Sequence, residues 1–131
     1  MKKFLFAIII SFSLFFLSAC VSFVDVSDIE LILIDEGFSI IEYQESQKNR
    51  MNLTLSDYCE CEVSRVIEGR LNQITEVYVF EFEKRSQAVD FVKIIENDEF
   101  IEVISFKLFV RYGNIVVLAG SLEIIELFEG M

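Results

Sequence analysis

The chain has 131 residues, long enough for one domain with a real hydrophobic core, and a net charge of −11. Its 22 acidic and 11 basic side chains leave no basic footprint of the kind nucleic acid requires. Histidine is absent, which removes the commonest general base and metal ligand together with Ser-His and Cys-His nucleophile pairs.

The first element is the segment before Val21. Met1-Lys2-Lys3 is followed by an apolar run from Phe4 to Phe16 and then by Leu17-Ser18-Ala19-Cys20. A cationic start, an apolar core and small residues before a cleavage point make a secretory signal. The four-residue ending resembles the lipobox of a bacterial lipoprotein precursor. That resemblance implies removal of residues 1–19 as a signal peptide and a diacylglycerol thioether on Cys20. It implies a lipid-anchored protein on the extracytoplasmic face of the cell membrane, with the outer membrane favoured by Val21 if the source has one. At least two acyl chains make such an anchor durable. The alternative is an uncleaved membrane helix over Phe4–Val24, which is nearly long enough to span.

Cleavage takes away Lys2 and Lys3 and no acid, leaving 112 residues with a net charge of −13. Such a domain is not drawn to anionic lipid by charge. Residues 20–26 read as the lipidated cysteine with a short tether, and 27–131 as a single domain. A tether of that length reaches roughly 20 Å at about 3.3 Å per extended residue.

Ser27-Asp28-Ile29-Glu30 reads as a capping box, with Val26 able to staple to Leu31, opening a helix over about 28–36 that Gly37 closes at C′. Ser39–Glu45 reads as a strand, residues 44–52 as a polar loop, and residues 53–61 as at most one helical turn. Residues 62–69 fit a strand or a helix, since Val63, Val66 and Ile67 also share a helical face, and a strand is favoured by the turn Gly69–Gln73 and the clear strand Ile74–Glu83 that follow. In that strand Tyr78, Phe80 and Phe82 share one face and Val77, Val79 and Glu81 the other, so it belongs in the middle of a sheet. Ser86 is placed to cap a helix running to Glu96, with Ala88, Phe91, Val92 and Ile95 as its apolar stripe. Phe106–Arg111 alternates, Gly113-Asn114 supplies a hairpin, Ile115–Ala119 returns, and Ser121 caps a last helix over 122–128. Short turns between strands predict an α+β fold. The expected form is a two-layer sandwich, a mainly antiparallel sheet of about five strands with helices on one face.

Few constellations carry chemistry. No glycine-rich phosphate loop, HExxH or calcium-loop spacing occurs, and no cofactor is expected. Cys59-Glu60-Cys61 is the unusual local feature, since lipidation of Cys20 leaves these two thiols alone. Three readings stay open: plain thiols, a local or intermolecular disulfide, and a redox or Cu(I)-type site drawing on Asp57 and Met51. Glu96, Asp98, Glu99 and Glu102 read as a solvated acidic turn before a weak cation site. On the face opposite Phe106, Leu108 and Val110, the residues Lys107, Phe109 and Arg111 are expected to stand with Val77 and Val79. They would form a mixed apolar and basic face, read either as an ordinary half-exposed sheet with cross-strand Glu–Lys and Glu–Arg pairs or as an interaction face for another protein or a second copy. The reading that follows is a non-catalytic accessory module whose partner is an envelope protein or a second copy. A small-molecule or cation-binding lipoprotein is the alternative, and a carboxylate enzyme comes third.

Overall fold

Asp25 opens the first helix, and its side chain decides where that helix begins. In the computed structural model, which describes residues 24–100, 103–129 and 131, Asp25 Oδ1 accepts from the Val26 amide at 2.7 Å. Asp28 returns the bond, accepting from the Asp25 amide at 3.1 Å. The capping box therefore lies two residues earlier than Ser27/Glu30, Leu31 points to solvent rather than stapling, and helix α1 spans Val26–Asp35. Its end follows expectation. Gly37 takes φ +91°, its amide donates to Ile34 O, and the Phe38 amide donates to Leu33 O at 2.9 Å. That is a Schellman closure with its customary apolar contact, since Leu33 and Phe38 are buried in one cluster.

The remaining elements are β1 (Ser39–Glu42), α2 (Glu45–Leu55), β2 (Val63–Leu71), β3 (Ile74–Phe82), α3 (Arg85–Glu96), β4 (Leu108–Tyr112), β5 (Ile115–Ala119) and α4 (Leu122–Glu126). The five strands form one antiparallel-paired sheet in the order β1-β2-β3-β5-β4. β3 is central, as its two apolar faces predicted. β4 runs parallel to β3 one place removed, which is why a helical crossover, α3, must join them. The β2–β3 turn is tighter than Gly69–Gln73: pairing runs on to Leu71 with Ile74, and Asn72 and Gln73 take φ 54° and 67°.

The α+β class and the five-stranded antiparallel sheet agree with the sequence reading. The sheet with α2 and α3 makes a two-layer helix-on-sheet unit around Val66, Phe80, Phe82, Phe91 and Leu118. The helices do not keep to one face, however. α1 and α4 cover the other side, where Val26, Ile29, Leu33, Ile124 and Phe128 pack on Ile67, Val77, Val79 and Val117. Gly69 makes this possible. A Cβ there would enter the van der Waals shell of Val77 Cγ1 and lie 3.3 Å from Phe38 Cδ1.

α2 occupies a stretch expected to be a loop. It has no apolar stripe and buries only Leu55 among its residues. Polar bonds hold it instead. Gln47 Oε1 accepts from the Gln44 amide at 2.8 Å, Lys48 pairs with Glu45, and Asn52 Oδ1 accepts from the Val63 amide at 2.8 Å. At α3 the cap residue is Lys84, not Ser86, with Gln87 Oε1 accepting from its amide.

Candidate functional site

The polar groups that come together lie on the α2/α3 side of the sheet. Strand alternation puts Glu68 on the same face as Val66 and Phe80, and the pairing of β2 with β3 sets it opposite Tyr78. Its carboxylate is buried, with the residue 7% exposed. Thr75 Oγ1 donates to it at 3.0 Å and Arg70 Nη2 donates at 3.4 Å. Two tyrosines flank this pair. Burial and then the Glu68 charge push the Tyr43 hydroxyl up to about 12 and move that of Tyr78 the same way. Above Tyr43 a groove of about 230 Å³ is lined by Gln47, Arg50, Met51 and Thr54 of α2 and by Val103. Its volume is below the roughly 300–1,000 Å³ of ordinary small-molecule sites. Its lining holds no carboxylate, and the nearby Glu68 is already paired with the Arg70 guanidinium.

Cys59 and Cys61 are joined by a disulfide, with Cα atoms 5.3 Å apart. A turn after α2 provides the close approach that an extended strand would not. Cys61 is buried against α3, whereas Cys59 is half-buried and opens on a second cleft of about 360 Å³.

The expected interaction face is not assembled. Val77 and Val79 are 0% and 1% exposed beneath the helices of the aliphatic side. The parity of β4 is also opposite to expectation. Phe109 pairs with Leu118 and packs partly against the α3-side core, while Leu108 and Val110 fall on the side of Val77. The β4–β5 register, set by the Gly113-Asn114 turn, decides this. Lys107 lies just before β4 and pairs with Asp98 at 3.0 Å, and Arg111 Nη1 donates to Gly113 O. Asp98 is thereby drawn out of the acidic cluster, Glu102 lies outside the described residues, and no metal-sized group of acids or cysteines forms among the described ones. Cys20 and the signal segment also lie outside them. The Glu68 arrangement escaped the sequence reading, although one signal was present: an acid on the inward parity of a strand otherwise reading Val66-Ile67. No family model, curated protein or solved structure matches the chain.

Proposed function

We propose that this chain is a lipid-anchored extracytoplasmic module that works by holding another envelope protein, or a second copy of itself, and not by catalysis. The observation that carries the reading is the contrast between the faces and the edges of the sheet. Both faces are covered by helices, whereas β1 and β4 end the sheet on either side. An edge strand presents backbone donors and acceptors to any chain that can extend it. In the two-residue hairpin, Tyr112 and Ile115 form the hydrogen-bonded pair next to the turn, so Arg111 and Phe109 direct their backbone groups outward. Phe109 and Arg111 therefore lie along an edge that no described strand extends, with Lys107 just before it.

The anchor supports the same reading. The cap of α1 is at Asp25, so only Val21–Val24 separate the domain from Cys20. Four extended residues reach roughly 13 Å, which confines any partner to the membrane surface. The small volume of the groove above Tyr43 and the pairing of Glu68 with Arg70 weigh against a small-molecule site or an enzyme there.

The test is in-cell cross-linking of the full-length protein, beside Arg111→Pro, followed by mass spectrometry. Proline removes an outward amide without touching the β5 ladder. A reproducible partner lost in Arg111→Pro supports the reading. Links that persist in the variant, or none in the native protein, count against it. Metabolic labelling with a palmitate analogue checks the anchor: Cys20→Ser should abolish the label and release the domain from membranes.

A further inference from the structure

We propose that the Cys59–Cys61 disulfide is an exchange site that takes electrons from a protein dithiol carried on a basic surface. Three observations converge on it. The bridge closes a loop across a single intervening residue. Such a loop constrains the unfolded chain least of any, so the bridge adds little to a core that already contains Phe80, Phe82, Phe91 and Phe100. The two sulfurs are unequal in access. Cys61 is 7% exposed, while Cys59 stands at the cleft lined by Tyr58, Glu60, Asp90, Lys93, Asn97 and Glu99. The reduced form is also provided for. Cys61 Sγ lies 3.5 Å from the Gln87 carbonyl oxygen, a contact that becomes a hydrogen bond once that sulfur carries a proton.

The exchange balances as follows. A partner thiolate attacks Cys59 Sγ, the reachable sulfur, and the Cys59–Cys61 bond breaks. Cys61 leaves with the electron pair and is protonated, donating to Gln87 O. The partner's second thiolate then attacks its own sulfur in the mixed disulfide and releases Cys59, which takes up a proton. The partner ends as a disulfide and this chain as a dithiol, with two electrons transferred. The reverse sequence restores the bridge.

The partner's charge follows from the cleft. Its ionisable lining is Glu60, Asp90 and Glu99 against Lys93, which already sits 3.9 Å from Asp90. An acidic mouth on a molecule of net charge −11 repels anionic thiols and favours a thiol set among lysines or arginines. Tyr58 is held at that mouth by an edge-on contact with Phe100, ring centroids 5.3 Å apart, so the wall stays in place as the sulfurs change state.

The experiment uses full-length protein purified from membranes in detergent and two dithiol peptides, one flanked by lysines and one by glutamates. Loss of the bridge is followed by alkylation and intact mass, with far-ultraviolet circular dichroism recorded in parallel. The expected result is complete conversion to two alkylated cysteines with an unchanged spectrum. The lysine-flanked peptide should react at least fivefold faster at low salt, and the advantage should shrink as salt is added. A lysine-flanked peptide whose second cysteine is replaced by serine cannot complete the release, so acid quenching should trap it as a mixed disulfide with the intact bridge's Cys59 and not with Cys61. A bridge that yields only when the protein unfolds would overturn the exchange site. So would two free thiols in protein acid-trapped directly from membranes. Equal rates for the two peptides would overturn the basic partner.

Discussion

The two sides of the sheet are built from different residues and tolerate different things. On the α1/α4 side the core is mainly aliphatic, with Val26, Ile29 and Leu33 set on Ile67, Val77, Val79, Ile115 and Val117, and Phe38 and Phe128 are its buried rings among the described residues. On the α2/α3 side it is a chain of rings: Phe91 lies 5.1 Å from both Phe80 and Phe82 and 5.7 Å from Phe100, and Tyr78 stacks near Phe80 and Phe106. β-branched residues tile a pleated surface closely. Large planar rings meet at angles and leave gaps at their margins. Both clefts, the disulfide and the buried Glu68 lie on the aromatic side. The lesson is that one face makes a sealed foundation and the other makes room for polar chemistry.

The sharpest way to break this contrast is at Phe91, the ring that meets Phe80, Phe82 and Phe100. Phe91→Ala should cost about 3–5 kcal/mol in denaturant unfolding, since Phe91 is fully buried and three ring contacts vanish together. The matching truncation opposite, Leu33→Ala, should cost about 2–5 kcal/mol. The difference to look for is in the clefts. Phe91→Ala should raise alkylation of the reduced cysteines, whereas Leu33→Ala should leave it unchanged. Equal effects on that readout would mean the two faces are not separable.

Next in size is Gly69→Ala. In an uncrowded strand such a change would stabilise by about 0.4–1 kcal/mol through the unfolded chain. Here the added methyl collides with Val77 Cγ1 and crowds Phe38, so the sign should invert, with a loss of about 1–3 kcal/mol. Val77→Ala in the same molecule should recover part of that loss. The non-additivity, measured as a double-mutant cycle, reports how tightly the aliphatic side is closed.

How much of this was legible depended on whether the deciding partner was near in sequence. The close of α1 at Gly37 is local chemistry and could be read. So could the alternation of Tyr78, Phe80 and Phe82. α2 could not, because a helix is recognised by an apolar stripe and this one carries a single buried residue. Its anchor, the bond from the Val63 amide to Asn52, spans eleven residues and leaves no periodic trace. The interaction face failed for a related reason. When both parities of β3 and β4 are apolar, alternation says that residues alternate but not which set meets α3; that is fixed by the β4–β5 register. The two apolar faces of β3 pointed to its central place in the sheet, whereas the expectation of a single helical layer left one of those faces without the cover that α1 and α4 supply.

Asn52 itself gives a smaller effect that bears on the looser side. Asn52→Ala removes the acceptor of the Val63 amide, at a cost of about 1–2 kcal/mol. Hydrogen exchange at Val63 should quicken, and α2 should loosen before the rest of the domain. Asn52→Asp keeps the oxygen and should keep most of the protection, because the donor side of the amide reaches Val63 O only at 3.4 Å. Uniform loosening of both faces would show that α2 is not a separately anchored element.

The smallest effect at neutral pH is a tyrosine effect, because it appears only in alkali. Tyr43 titrates near 12 in the folded protein against 10.0 when free, and burial is the first cause. The fold therefore favours the neutral phenol, and the unfolded chain gives up its proton first. Stability should be flat up to about pH 10 and should fall as pH rises from there towards 12. Tyr78 adds to the same trend through burial and the Glu68 charge. On the other side of the sheet Tyr112 is also raised, by burial and then by Glu129, but its hydroxyl donates to the Phe128 carbonyl. The two single variants should thus diverge. Tyr43→Phe should lessen the alkaline fall and leave neutral stability nearly untouched, since Tyr43 has no side-chain hydrogen bond to lose among the described residues. Tyr112→Phe should lower stability at every pH, because it removes the bond that ties Phe128 to β4 and leaves that carbonyl only the longer bond from the Met131 amide at 3.4 Å. Denaturant midpoints measured from neutral pH into alkali decide it: parallel curves for the two variants would mean that their hydroxyls play the same part on both faces.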